Sequence, residues 1–216
     1  MLRELDFIDN DLEIHFIRDG DGLDYEWRKQ LSEHASKNNV MLHQLKRHEI
    51  ENYLLCPDLI HKTLYNKYPN KDIPSTEDIK IKIIELLRNT ILYSRYSFED
   101  VLEDNIYKTA QLLRLDEYRS FHKCKTNAKK IREEYEKYDD FESLVTVGMG
   151  KETLKALFSW LNEDLKRNIS RNDILNCLEY KDTSTEIKVI LEQLQSKDAK
   201  SIVIDNSEML EEVDVP

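Results

Sequence analysis

The stretch Leu12-Glu13-Ile14-His15-Phe16-Ile17-Arg18-Asp19-Gly20-Asp21-Gly22 carries the reading of the whole chain. Leu12, Ile14 and Phe16 alternate with Glu13 and His15, which is the period of a β-strand, and Ile17 extends the apolar end. The strand then stops in two aspartates separated by one glycine. Carboxylates at i and i+2 just past a strand can share a hard divalent cation, and such oxygen donors suit Mg²⁺ or Mn²⁺. Gly20 is expected to let the backbone turn tightly and Gly22 to permit its exit. In open α/β sheets, ligands sit beyond the carboxyl ends of strands, which is where this pair falls. Taken alone, D-G-D is also an ordinary acidic turn, because Asp and Gly are turn formers.

The flanking sequence predicts what that strand packs with. From Tyr25 to Ser36 the pattern is helical, with Trp27, Leu31 and Ala35 on one face and Asp24 placed as N-cap. Asn38-Asn39 closes this helix, and Val40 to Leu45 reads as a second strand. Strand–helix–strand is the minimal parallel crossover of an α/β sheet. Upstream, residues 2–7 look like the last turn of a helix. Downstream, Lys46 to Leu55 reads as a loop entering a short helix, and Pro57 restarts a helix through about Tyr65. From Ser75 onward the chain is almost wholly helical, with helices predicted near 76–93, 98–115, 117–137, 152–166, 171–179 and 185–195. Ser75 with Asp78, Ser97 with Asp100, and Ser170 with Asp173 have the spacing of capping boxes. Residues 141–145 form a short apolar segment of open type. The acidic tail from about 198 contains Ser201-Ile202-Val203-Ile204, which could pair as a strand.

Composition bounds the function. The 216 residues are 40% hydrophobic, enough for one good core. Only 4 Gly and 4 Pro occur, which argues for long helices and against a many-turned β-sandwich. No apolar run has the length of a membrane span, and no signal-peptide pattern opens the chain, so the sequence reads as soluble and cytoplasmic with no membrane partner. Cys56, Cys124 and Cys177 are odd in number and far apart, the pattern of ordinary reduced thiols. The net charge of −11 speaks against a passive nucleic-acid coat. It does not exclude a metal-dependent nuclease, whose acidic site has its sign inverted by the ion.

Further candidates accompany the aspartates. Glu49 and Glu51 follow the second strand where Asp19 and Asp21 follow the first, so adjacent parallel strands would bring four carboxylates into one crevice. Such carboxylates repel strongly unless a cation sits between them. A solvated, acidic helix start explains the same glutamates more simply. Lys151 follows Gly148-Met149-Gly150 and opens a helix, where N–H groups and the macrodipole favour a phosphate; a solvated lysine after two hinge glycines is the alternative. The segment from Arg119 to Arg132 holds Lys123, Lys125, Lys129 and Lys130 with no acidic residue, flanked by Tyr118 and Phe121. It could track a nucleic-acid backbone, or it could be a solvated helix face balanced by Glu133, Glu134 and Glu136. No two of the histidines have the helical spacing of a metal pair; His48 could orient Glu49 or touch a phosphate, or serve as a hinge. Trp27 and Trp160 read as core. Gly148-Met149-Gly150-Lys151 is not a Walker loop, since Glu152 follows the lysine.

The strand ending in D-G-D, the helix, the next strand and the segment Lys46-Arg47-His48-Glu49-Ile50-Glu51-Asn52-Tyr53-Leu54-Leu55 together resemble the Toprim nuclease domain of the OLD (overcoming lysogenization defect) family. The resemblance continues to Gly150-Lys151-Glu152-Thr153-Leu154 and covers most of residues 10–195. It implies an α/β fold: a partial Toprim-like parallel sheet in 1–56, a helical insertion over 57–138, a helical C-terminal part of the nuclease domain over 139–197, and an acidic tail over 198–216. It implies Mg²⁺ or Mn²⁺ on Asp19 and Asp21, with Glu49 and Glu51 completing the cluster. It further implies that Lys151 stabilises charge in a phosphoryl transition state. The activity implied is metal-dependent endonucleolytic cleavage, of DNA more than RNA, by an effector associated with an ABC-type ATPase domain or chain in anti-phage defence. The alternative is a catalytically incomplete module acting in binding or assembly with the ATPase. One departure matters: Toprim domains open with a strand ending in glutamate, often Glu-Gly, before D-x-D, and Glu4 here lies in a helical context. The expectation is therefore a C-terminal portion of a longer protein, a strand supplied by another chain, or a degenerate module. A homo-oligomer is compatible with all three.

Overall fold

The computed structural model describes residues 14–93, 98–118 and 120–195. The expected helix at 2–7, the capping role of Ser97, Arg119 and the strand at 201–204 lie outside them, as do Leu12 and Glu13. The chain is mostly helical around one small parallel sheet. β1 (Ile14–Arg18), α1 (Tyr25–Lys37) and β2 (Val40–Gln44) form the expected crossover unit, with Ile14 opposite Val40 and Arg18 opposite Gln44. Asp24 caps α1 as its spacing predicts, its Oδ1 accepting from the N–H groups of Glu26 and Trp27. Trp27 and Leu31 bury the inner face of this helix.

Eight more helices follow among the described residues: α2 (Pro57–Lys67), α3 (Thr76–Tyr93), α4 (Phe98–Leu113), α5 (Phe121–Tyr135), α6 (Phe141–Val147), α7 (Gly150–Glu163), α8 (Arg171–Cys177) and α9 (Thr185–Gln195). α3 is the axis of the core. Its buried residues Ile79, Ile83, Leu87 and Ile91 recur every four positions, so one stripe meets α2, α6, α7 and α4 in turn. Leu23, Trp27 and Leu31 of the crossover unit belong to the same core as the helices after Pro57. Burying a Leu or Ile side chain contributes roughly 1.5–3 kcal/mol, so this stripe outweighs any surface pair.

Several boundaries depart from the expectations. The helix predicted over 117–137 is two elements, a 3-10 turn at Asp116–Tyr118 and then α5, because Ser120 is extended (φ −97°, ψ 129°) and starts α5 afresh. The segment 141–145 is helical, capped by Asp140, whose carboxylate accepts from the Ser143 N–H. α7 begins at Gly150, two residues before its expected start. Trp160 is only partly buried, lying under the Lys82 ammonium. All three cysteines are free thiols. Among the described residues no helix is long and apolar enough to cross a membrane.

α8 docks on α2 through charge as well as through buried Ile174. Lys67 pairs with Asp173 at 2.8 Å, and just beyond α8 Glu179 and Asp182 pair with Lys62 at 2.6 and 3.1 Å. The Lys67 bond, with those from Ser170, holds the Asp173 carboxyl down at about 2, and Lys62 with Lys181 does the same for Glu179. Their pKa values are below those of the unfolded chain, so this contribution is present above about pH 4 and is lost as pH falls through about 2. Amide exchange in α8, relative to α3, is therefore expected to speed up between pH 6 and pH 2.5. An unchanged ratio would mean that apolar packing alone docks α8.

Candidate functional site

The two strand ends meet side by side because the sheet is parallel. Pairing continues past β1 and β2: Leu45 N–H donates to Arg18 O, Gly20 N–H to Arg47 O, and Asp21 N–H to His48 O. The segments carrying Asp19–Asp21 and Glu49–Glu51 are thus clamped together by backbone bonds.

Gly20 is needed for this contact and not for a turn. A Cβ there would lie 2.5 Å from Arg47 O and 2.8 Å from Leu45 O. The left-handed turn falls on the next residues instead, Asp21 (φ 55°) and Gly22 (φ 66°). Asp21 is held in this disfavoured conformation by Arg18, whose Nη2 and Nε reach its Oδ2 at 2.8 and 2.9 Å. α4 and α5 secure the loop from the other side, Asn105 donating to Asp21 O and the Tyr135 hydroxyl to Gly22 O.

Asn52 organises the second loop. It is wholly buried, and its side chain joins three elements: Oδ1 accepts from Glu49 N–H, while Nδ2 donates to Val145 O and Gly148 O at 2.8 and 2.9 Å. Gly150 exists to let Asn52 in, since a Cβ at 150 would come within 2.7 Å of the Asn52 backbone nitrogen. Through this contact the start of α7 is set against the 3-10 turn at Ile50–Tyr53, and Lys151 N–H donates to Glu49 Oε2 at 2.7 Å. Glu49 thereby caps α7, a favourable place for a carboxylate. Glu186 at the start of α9 fastens the same loop, accepting from Lys46 N–H and from the Tyr53 hydroxyl. His48 is buried, its Nδ1–H donating to Val147 O at 2.9 Å, so its role is to tie the loop to α6 and not to contact phosphate.

Five of the sequence candidates come together electrostatically at Asp19. Burial first, then the charges of Asp21, Glu51 and Glu49, push the Asp19 carboxyl up to about 7 from an ordinary 3.8, with Lys151 opposing them. Glu51 is only 4% exposed; its Oε1 meets Arg171 Nη2 at 3.1 Å, and its Oε2 is buried with no hydrogen-bond partner. An orphaned carboxylate oxygen beside a carboxyl that resists ionisation fits the donor chemistry of Mg²⁺ or Mn²⁺. Yet among the described residues no three His, Cys, Asp or Glu side chains gather around one point that could hold an ion. The reason is visible in the partners: Arg18 draws Asp21 aside, the α7 N-terminus holds Glu49, and Arg171 holds Glu51.

The basic stretch stands apart from these groups. α5 packs on α4 and on the 3-10 turn at Asp116–Tyr118, and its cations are not among the leading charges on Asp19. Arg132 is tied to Glu136 at 2.8 Å and Glu99 at 3.8 Å, and Lys129 to Glu133 at 3.9 Å; Lys123, Lys125, Lys129 and Lys130 are all exposed. Two residues at the site escaped sequence reasoning. Arg18 could have been found, standing directly before Asp19. Arg171 could not, because only the docking of α8 brings it to Glu51. No protein-family model, curated protein or solved structure matches the chain.

Proposed function

We propose that this chain is a Toprim-type, metal-dependent nuclease module that cleaves phosphodiester bonds, DNA before RNA. We further propose that it works with an ABC-type ATPase domain or chain as an anti-phage effector. The observation that carries the reading is the convergence of Asp19, Asp21, Glu49 and Glu51, with Lys151, beyond the carboxyl ends of two adjacent parallel strands. Unrelated acidic turns have no reason to bring three further carboxylates to bear on Asp19 there. When bound, Mg²⁺ or Mn²⁺ would supply charge neutralisation at the scissile phosphate and an activated water. Asp19, Asp21, Glu49 and Glu51 are the residues that would hold it. Lys151 stands exposed at the first turn of α7, where its ammonium and the helix N-terminus favour the charge developing on phosphate.

Asp19→Ala is expected to abolish Mn²⁺-dependent cleavage of plasmid DNA and the heat of Mn²⁺ binding in titration calorimetry. Cleavage that survives the substitution would reject this site.

One observation favours a second reading. Asp21, Glu49 and one oxygen of Glu51 are each engaged by a donor from the protein itself, as they would be in a catalytically incomplete module that binds or assembles with an ATPase. That reading predicts no calorimetric signal for Mn²⁺ in the wild-type protein.

A further inference from the structure

Beside the carboxylates, an open groove of about 440 Å³ runs along α7 to the start of α8. Lys151, Lys155 and Phe158 line it from α7, and Arg171 and Asn168 face them from the other wall. Lys151, Lys155, Phe158 and Asn162 recur at helical spacing, so a single stripe of α7 presents two ammonium groups, then an aromatic ring, then an amide. Lys155 is exposed, and no ion pair involves it among the described residues. The one acid on the lining, Glu163, stands at the last residue of α7, at the opposite end of the helix from Lys151. Within an acidic protein the groove is therefore locally cationic at the end nearest Asp19.

Arg171 links the groove to the carboxylates. Its guanidinium lines the wall and reaches Glu51, whose second oxygen is buried without a partner. Groove and acidic cluster thus share one boundary, at Lys151 and Arg171. We infer that this groove is the track for a single strand of nucleic acid flanking the scissile phosphate, with Lys155 and Arg171 on backbone phosphates and Phe158 against a base. This rests on the nuclease reading for its placement of the scissile bond. The class of ligand follows from the lining. Cations at phosphate positions beside an aromatic side chain suit an unstacked strand, since every base offers a π-face and only a single strand exposes it. The volume matches a ligand of about one or two nucleotides by the usual scale of such sites.

The test is binding of a fluorescein-labelled oligothymidylate to the full chain in EDTA at low salt, read by fluorescence anisotropy, so that no cleavage intervenes. Lys155→Glu is expected to weaken binding about tenfold or more and to flatten its salt dependence. Phe158→Leu, which keeps the apolar contact, is expected to weaken it at least about fivefold through lost stacking. A self-complementary duplex is expected to bind more weakly than the single strand. Full-strength binding by both variants, tighter binding of the duplex, or loss of binding on Lys130→Glu with none on Lys155→Glu would each overturn the groove. The two readings fail separately. Binding that depends on Lys155 without any Mn²⁺-dependent cleavage would retain the groove and reject the nuclease. Cleavage that Lys155→Glu leaves untouched would do the reverse.

Discussion

Replacing Asn52 with alanine is expected to destabilise the protein by about 3–5 kcal/mol, because three backbone groups, two of them in buried bonds, lose their partner at once. Those groups are Glu49 N–H, Val145 O and Gly148 O, and they belong to the second loop, α6 and the start of α7. Water cannot replace the side chain, since Asn52 is wholly buried. Asn52→Asp is expected to cost more than alanine, because a carboxylate would face two carbonyl oxygens with nothing to donate. Urea denaturation at pH 7 measures both. A loss below about 1 kcal/mol for either would show that the three elements are held by apolar packing and not by the amide. The consequence for function is direct, since Asn52 sets the distance between Glu49 and α7. Gly150→Ala, which pushes a methyl group into Asn52, is expected to reproduce the defect.

Asp19→Asn is expected to act in opposite directions with and without metal. In the folded protein the Asp19 carboxyl is held at about 7, above its ordinary 3.8, by burial and then by Asp21, Glu51 and Glu49. A raised pKa means the folded state binds this proton more tightly than the unfolded state does. Its contribution is therefore largest below about pH 4, declines as pH rises toward about 7, and is flat above. Asparagine removes the repulsion, so the variant in EDTA is expected to melt at a higher temperature than wild type at pH 8 and to show no such gain at pH 4. Added Mn²⁺ should raise the wild-type melting temperature at pH 8, by linkage to the folded state, and leave the variant unmoved. A variant no more stable than wild type in EDTA at pH 8 would mean that the four carboxylates do not share a field.

Much of the candidate site's placement is legible in the sequence. The alternation in Ile14–Phe16, the helical period from Trp27 to Leu31 and the apolar run at Val40–Leu42 name a crossover unit. A parallel crossover necessarily brings two strand ends to one edge, so Asp19 and Glu51 could be paired from spacing alone. Helix starts were legible where a side chain closes the first turn, as at Asp24 and at the reciprocal Ser75–Asp78 and Ser170–Asp173 boxes. Gly20 reads as a turn residue in the sequence, whereas its place in the fold is a close backbone contact. Sequence shows that a Cβ is missing but not whether freedom of φ or space for Arg47 O is the reason. The break before α5 was missed because Ser120 starts the helix with backbone geometry and no side-chain capping bond.

Local patterning determined the elements and the edge of the sheet on which the acids lie, because strand and helix periods act over a few residues and need only the chain itself. Packing at long range decided what each acid does there. Glu51 meets Arg171 only after α8 docks through Lys62 and Lys67, Glu49 meets the α7 N-terminus only because Asn52 fits over Gly150, and the groove exists only between α7 and α8. A buried charge takes its partner from whatever the fold brings within reach, and that partner carries no mark in the local sequence.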